Sequence, residues 1–374
     1  MTPDTVEIRP SACPLDCPDG CSLDVTVRDG RVVEIDGNHV NRVTAGFICG
    51  KVRHFADRMY GADRVLYPAI RVGAKGAGEF RRAIWDEALE LVSARLAETR
   101  DRFGGEAILP YHYGGSNGWL TENGMDARLF YRLGASRLAR TLCAMPTSLA
   151  VNGLYGKMAG VSYEDYPTAK LIVLWGVNPS ATGIHLAPYI RQALAGGAKL
   201  AVVDPRKTPF ARQADLHLAV RPGTDLPVAL SVIHWLFSGG RADVDFLQSH
   251  AQNWEKLRDR AAAWSFERAA EVSGVNADDI AAFAKLYADS NPALVRCGWG
   301  LERNRNGGSA AAAVLALPAV AGKFGLRGGG IHDESVGGLG RRSGGRGRGV
   351  ASGHAHDQHE SAGRSPRPRL PAPG

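Results

Sequence analysis

Four cysteines near the amino terminus, Cys13, Cys17, Cys21 and Cys49, are the residues of this chain best suited to chemistry. Three residues separate the first from the second, three the second from the third, and 27 precede the fourth. A cubane iron–sulfur cluster needs four thiolates at its corners, and three close ligands plus one distant ligand supply them. Pro14, Pro18 and Gly20 keep the ligand run out of helix, so its backbone can wrap a compact object. Zinc is the competing reading, although structural zinc sites usually pair cysteines across two-residue gaps and often add histidine, and neither feature occurs here. A disulfide framework fits worse, because the chain has only six cysteines in 374 residues and no secretory pattern.

Composition bounds the setting of that site. With 44% apolar and 22% charged residues, the chain is an ordinary soluble globular protein with room for two or three cores. No apolar run reaches membrane-spanning length, and Met1–Ser11 shows neither a signal peptide nor paired arginines, so a cytoplasmic location is expected. The net charge of +7 hints at nucleic acid until it is divided. Residues 331–374 hold seven arginines against four acidic residues, which leaves only +4 for the first 330 and argues against a nucleic-acid surface there.

The elements that must position the cysteines are legible in outline. Leu23, Val25 and Val27 alternate with polar residues, Asp29-Gly30 makes a turn, and Val33 and Ile35 continue a return strand towards Cys49. Trp85, Ala88, Leu89, Val92 and Leu96 follow helical spacing up to Gly104-Gly105, and Ala107–Tyr113 reads as a strand entering the loop Gly114–Gly118. Leu171–Trp175 is a buried strand by composition. A helix over about 184–195, a Gly196-Gly197 stop and a second strand, Lys199–Val203, complete a βαβ unit with parallel strands. Asn276 is placed to cap a helix whose Ile280, Phe283, Ala284 and Tyr287 share one face. Residues 331–374 are dense in Gly, Arg, Ser, Pro and His, too poor in apolar surface to offset ordering entropy, and are expected to be disordered. A basic tail could bind nucleic acid, but the composition more closely resembles the out-of-frame translation of a GC-rich gene.

Dinucleotides bind parallel α/β sheets beyond the carboxyl ends of strands. Gly176, Asn178 and Pro179 follow the first strand, while Asp204, Arg206 and Thr208 follow the second. Gly176 permits close backbone approach, the helix that follows favours a pyrophosphate, and Asp204 suits ribose hydroxyls.

Taken in order, Cys13-Pro-Leu-Asp-Cys17-Pro-Asp-Gly-Cys21 with Cys49-Gly-Lys51, Leu174-Trp175-Gly176-Val-Asn178-Pro179, Asp204-Pro-Arg206-Lys-Thr208, Arg221-Pro-Gly223-Thr224-Asp225 and Gly298-Trp-Gly300 with Asn306-Gly-Gly308 form a series. It resembles that of the molybdopterin oxidoreductases of the dimethyl sulfoxide reductase superfamily, which includes formate dehydrogenases, nitrate reductases and S- or N-oxide reductases. The resemblance implies a 4Fe–4S cluster on the four cysteines and a molybdenum or tungsten ion between two molybdopterin guanine dinucleotides. It implies Lys51 as the bridge between cluster and pterin, and Trp175, Gly176, Asn178, Pro179, Asp204, Arg206, Thr208, Gly223, Thr224 and Asp225 as cofactor contacts. By the same resemblance Cys143 is the candidate molybdenum ligand, as in the formate dehydrogenase and nitrate reductase branches. The three-residue gap between Cys13 and Cys17 resembles the oxide-reductase branch instead, where serine often serves, so Ser148 is the fallback. Cys297 is expected in the core, while His112 and His185 are expected to be structural sooner than catalytic.

The fold expected is α/β: a small β-rich iron–sulfur domain (1–65), then α/β/α domains with parallel sheets. These comprise the first part of one α/β domain (66–140), an inserted dinucleotide-binding domain (141–290), a segment returning to the first domain (291–330), and the tail (331–374). Family members run to roughly twice this length, so the second half of the family fold is missing. The function implied is transfer of electrons between a small substrate at the molybdenum site and the cluster, and onward to a partner protein, with no nucleic acid and no membrane segment. The rival reading is a truncated, inactive fragment that keeps only cluster binding.

Overall fold

The computed structural model describes residues 5–113, 125–139, 141–156 and 160–333. Three strands, β1 (Val6–Ala12), β2 (Ser22–Arg28) and β3 (Arg31–Gly37), form an antiparallel sheet in that order. Asp29 and Gly30 both adopt positive φ, 48° and 77°, the geometry of a two-residue turn whose twist matches its strands. That is the hairpin expected from the alternating pattern. β1 carries no such signal. Every residue of it is exposed, and Pro10 is tolerated because β1 lies at the sheet edge. Two short helices, α1 (Gly50–Arg53) and α2 (Phe55–Tyr60), follow the sheet.

The next stretch contains a two-stranded ribbon, β4 (Ala69–Arg71) and β5 (Phe80–Arg82), and the helices α3 (Trp85–Phe103), α4 (Met125–Leu133) and α5 (Met145–Tyr155). Gly104 ends α3 at φ 84°, as its sequence position predicts. The strand expected over Ala107–Tyr113 does not form: a 3₁₀ turn covers Gly105–Ala107, and irregular chain follows. A strand needs a neighbour to ladder with. Here Ile108 O accepts one hydrogen bond, from Ser136 N at 2.9 Å, and no strand of the described residues runs alongside. The Gly114–Gly118 loop lies outside the described residues.

The main body is a five-stranded parallel sheet. Its strands are β6 (Leu171–Trp175), β7 (Lys199–Val203), β8 (Leu216–Leu218), β9 (Ala293–Cys297) and β10 (Gly330–Asp333), in the spatial order β10-β9-β6-β7-β8. All five residues of β6 are fully buried, as befits a parallel strand covered on both faces. Alternation then divides the core. Leu171, Val173 and Trp175 point to one side, where α7 (Asp225–Ser238), α11 (Ala277–Asp289) and α12 (Gly307–Val320) pack. Ile172 and Leu174 point to the other, against α6 (Leu186–Ala195) and a 3₁₀ turn over Tyr163–Thr168. Smaller helices, α8 (Val244–His250), α9 (Trp254–Ala261) and α10 (Phe266–Ser273), link α7 to α11. Asn276 caps α11 as expected, its Oδ1 accepting from Asp278 N at 3.1 Å.

Two expectations are corrected by this sheet. The segment 291–330 does not return to the earlier domain, because β9 pairs with β6 from Leu171↔Ala293 to Trp175↔Cys297 and so lies at the heart of the same sheet. Nor does order end at residue 330. Gly330–Asp333 ladders onto β9, with Ile331 and His332 buried, because the apolar Ile331 and the open edge of β9 both favour pairing. The remainder of the expected disordered tail lies outside the described residues.

Candidate functional site

The return of β3 carries the chain to Cys49 at the start of α1, and the hydrogen bond from Cys13 N to Cys21 O (2.8 Å) curls the ligand run back on itself. Cys13, Cys17, Cys21 and Cys49 thereby line one pocket with Lys51, Val52 and the segment Ala181–Ile184. Leu23, Ile35, Ile48 and Val52 form an apolar floor beneath the thiols. All four cysteines are free. Burial pushes the Cys17 thiol up to about 11 and raises that of Cys13, with neighbouring thiols adding to both shifts. Four thiolates can share so small and apolar a pocket only if positive metal centres offset their charge. The donor set, sulfur only, fits a 4Fe–4S cluster.

Asp19 and His185, neither of them assigned to the site from sequence, lock this unit to the sheet body. Their side chains are each 1% exposed, and Asp19 Oδ2 lies 2.7 Å from His185 Nδ1. His185 Nε2 donates to Phe47 O at 2.8 Å, and the Tyr163 hydroxyl donates to Asp19 Oδ1 at 2.8 Å. Burial alone would raise the Asp19 carboxyl, yet the hydrogen bonds from His185 and Tyr163 hold it below the usual range. Burial opposes charge on His185 too, but the Asp19 carboxylate carries it up to about 10. Asp19, Cys21 and His185 have ligand atoms within 4.8 Å of one another. The carboxylate and imidazole are already committed to each other, so the trio is a clamp on Cys21 more than a second metal site. His185 does not cap α6 with its side chain.

Lys51 Nζ donates to Ala181 O at 3.0 Å. Ala181 belongs to the loop that leaves β6 through Gly176, Asn178 and Pro179, so the lysine joins the cysteine pocket to the end of the sheet. That end is a topological switch point: β6 connects rightward to β7 while β9 lies on its left, leaving a crevice beyond their carboxyl ends. Gly176 sits at φ 63°. A methyl there would meet Leu301 Cδ1 at 2.6 Å, and one on Gly300 would meet Gly176 O at 2.7 Å. The close approach that Gly176 permits is therefore taken up by the chain's own second loop.

The remaining sequence candidates divide by what they touch. Trp175 Nε1 donates to Asp225 Oδ1 at 2.8 Å, and Asp204 is near enough to reinforce the burial that raises the Asp225 carboxyl. Asp204 Oδ1 accepts from Arg206 N at 2.7 Å, and Thr208 Oγ1 accepts from Ala211 N at 3.1 Å, so both also serve local turns. Gly223 and Thr224 lead into α7, with Asn304 against Gly223. Two neighbouring buried carboxyls, Asp204 after β7 and Asp225 at the start of α7 against Trp175, with Arg206 exposed beyond them, suit the hydroxyls and N–H groups of a nucleotide. Cys143 stands apart from the four-cysteine pocket at φ 57°, half-buried ahead of α5, with Arg303 Nη2 3.9 Å from its sulfur. Ser148 is half-buried within α5. Cys297 lies in the core as expected, and His112 lines a separate cavity with Asp126, Tyr131 and Arg137.

Residues 64–363 match the family described as molybdopterin oxidoreductase, and residues 6–61 match the molybdopterin oxidoreductase Fe4S4 domain. The chain belongs to the molybdopterin oxidoreductase family. The chain is 37% identical over 327 residues to the probable oxidoreductase YoaE of Bacillus subtilis, covering 87% of this chain and 48% of that protein. To the dimethyl sulfoxide reductase DmsA of Escherichia coli it is 29% identical, covering 85% of this chain and 44% of that one. The F420-dependent formate dehydrogenase 2 subunit alpha of Methanococcus maripaludis is 26% identical, with 86% of this chain and 46% of that one covered. Acetylene hydratase from Pelobacter acetylenicus shares the fold at a TM-score of 0.67 and 24% identity, over 86% of this chain and 44% of that chain. The chain thus spans about half the length of the curated relatives it matches. The cofactors that go with these two family domains are a 4Fe–4S cluster and molybdenum or tungsten bis-molybdopterin guanine dinucleotide. No helix among the described residues is long and apolar enough to cross a membrane.

Proposed function

We propose that this chain is the cluster-bearing, nucleotide-holding part of a molybdenum- or tungsten-dependent oxidoreductase, and that it relays electrons between a small substrate site and a partner protein. The observation that carries this reading is the shared pocket. Four thiols meet there with Lys51, whose amine reaches the loop that also borders the sheet crevice. When bound, the cluster stores and passes single electrons. The chain's own residues do the rest. Cys13, Cys17, Cys21 and Cys49 hold the metal, and the apolar floor keeps water from the sulfurs. Lys51 offsets negative charge between the two sites. Asp204 and Asp225 accept hydrogen bonds from the nucleotide end of a pterin cofactor, and the backbone of Gly176–Pro179 borders it. Cys143, with an arginine beside its sulfur, is the candidate metal ligand ahead of Ser148.

A second reading has its own support. All cluster ligands lie within residues 13–49, whereas the chain covers about half of its relatives, so it can hold a cluster without completing the pterin site. Anaerobic reconstitution with ferrous iron and sulfide tests the part common to both. About four irons per chain are expected for the wild type, with loss of most of that iron in Cys17→Ser and in Cys49→Ser. One zinc per chain in place of iron, or iron retained by both variants, would contradict the assignment. Molybdenum and pterin analysis of the same sample separates the two readings.

A further inference from the structure

The loop between β6 and α6 belongs to the sheet body, yet it turns hydrogen-bond donors towards the cysteine pocket. Gly183 N–H donates to Cys17 Sγ at 3.4 Å. His185 Nδ1 lies 3.9 Å from Cys21 Sγ and 2.7 Å from Asp19 Oδ2, so its hydrogen sits between the sulfur and the carboxylate. The loop is held in that pose from both ends. Lys51 Nζ grips Ala181 O, and His185 Nε2 is bound to Phe47 O. Gly183 adopts φ 68°, and a methyl there would meet Pro18 Cγ at 3.5 Å and Asp19 Oδ1 at 3.9 Å. A clamp between the two bodies needs only Asp19, His185 and Phe47. It has no need of donors facing two of the four sulfurs.

We propose that Gly183 and His185 are positioning residues that raise the reduction potential of the cluster by turning N–H donors onto the Cys17 and Cys21 sulfurs. Reduction adds one electron, supplied by a mediator dye that loses one, and the sulfurs become better hydrogen-bond acceptors as negative charge builds on them. N–H donors therefore favour the reduced form over the oxidised one, and bonds to the sulfurs are among the main determinants of such potentials. The same loop leaves β6 through Asn178 and Pro179, so the segment that borders the crevice also poises the electron relay. This inference rests on the reading of the four thiols as cluster ligands.

Potentiometric titration of the anaerobically reconstituted full chain tests the proposal, read by the electron paramagnetic resonance signal of the reduced cluster, with iron measured on every sample. Two charge-neutral double variants isolate the His185 donor. Asp19→Asn with His185→Asn keeps a side-chain N–H at that place, and Asp19→Asn with His185→Leu removes it. At a fixed applied potential the leucine pair should show a ratio of reduced to oxidised cluster about tenfold below that of the asparagine pair, or about 59 mV for one electron. Gly183→Ala strains the loop amide away from Cys17 and should lower the ratio about threefold. Gly197→Ala creates a comparable left-handed alanine, at φ 90° with nothing within 4 Å, and should keep the wild-type potential. Equal potentials in the two double variants, at full iron content, would overturn the inference and leave the cluster assignment standing. If either double variant fails to fold, the alanine pair decides, and equal potentials for Gly183→Ala and Gly197→Ala would overturn the inference. A wild-type chain that takes up no iron would overturn both the inference and the cluster reading beneath it.

Discussion

Asp19 and His185 lie far apart in sequence, yet they make one buried pair that fastens the cysteine unit to the sheet. Truncating His185 to alanine would strand the Asp19 carboxyl in a dry site. The expected cost is about 3–5 kcal/mol in urea unfolding of the metal-free chain, and a loss below 1 kcal/mol would contradict the clamp. Asp225 makes an opposite prediction. Burial raises its carboxyl above the unfolded value, so the folded state binds the proton more tightly, and this group's contribution to stability improves as pH falls through the folded pKa. At neutral pH the ionised form is a burden. Asp225→Asn keeps an acceptor for Trp175 and should add on the order of 1 kcal/mol at pH 7, while flattening the acid side of the stability profile. An unchanged profile would contradict it. The thiol set was legible in sequence because its spacing is local, whereas the clamp was not, since nothing near Asp19 announces a partner on the far side of the chain.

The elements show the same division between local and distant information. β6 is readable from five consecutive apolar residues, the hairpin from its alternation and turn, and the α11 cap from Asn276 alone. Replacing Asn276 by alanine should cost about 1 kcal/mol, measured by chemical denaturation. The partners of β9 and β10 were not readable. Parallel pairing is chosen by crossover connections of dozens of residues, and the strands themselves carry only apolar composition. Beyond the parallel ladder, the loops that follow β6 and β9 pack closely against each other, and Gly300→Ala tests that contact directly. Its new methyl would meet Gly176 O at 2.7 Å, and overpacking of that kind costs about 2 kcal/mol. Gly153→Ala is the control: it sits in α5 with nothing within 4 Å, and it should gain about 0.5–1 kcal/mol. Equal effects at the two sites would refute the close crossing of the loops.

Across the whole molecule, stability is unevenly spread. The sheet body has both faces covered, while α3 buries nothing, so hydrogen exchange of the chain alone should release α3 amides well before those of β6, β7 and β9. Uniform exchange would contradict that order. The proposed function divides along similar lines, since the four cysteines are local in sequence and the crevice proposed for the nucleotide is built by the sheet. The central claim is that the four amino-terminal thiols hold one iron–sulfur cube against that sheet. Native mass spectrometry of the anaerobically purified full chain tests it most directly. The account predicts a dominant species heavier than the apoprotein by one 4Fe–4S unit, lost when Cys13, Cys17, Cys21 and Cys49 are all replaced by serine. A dominant metal-free or zinc-loaded species from the wild-type chain would contradict it.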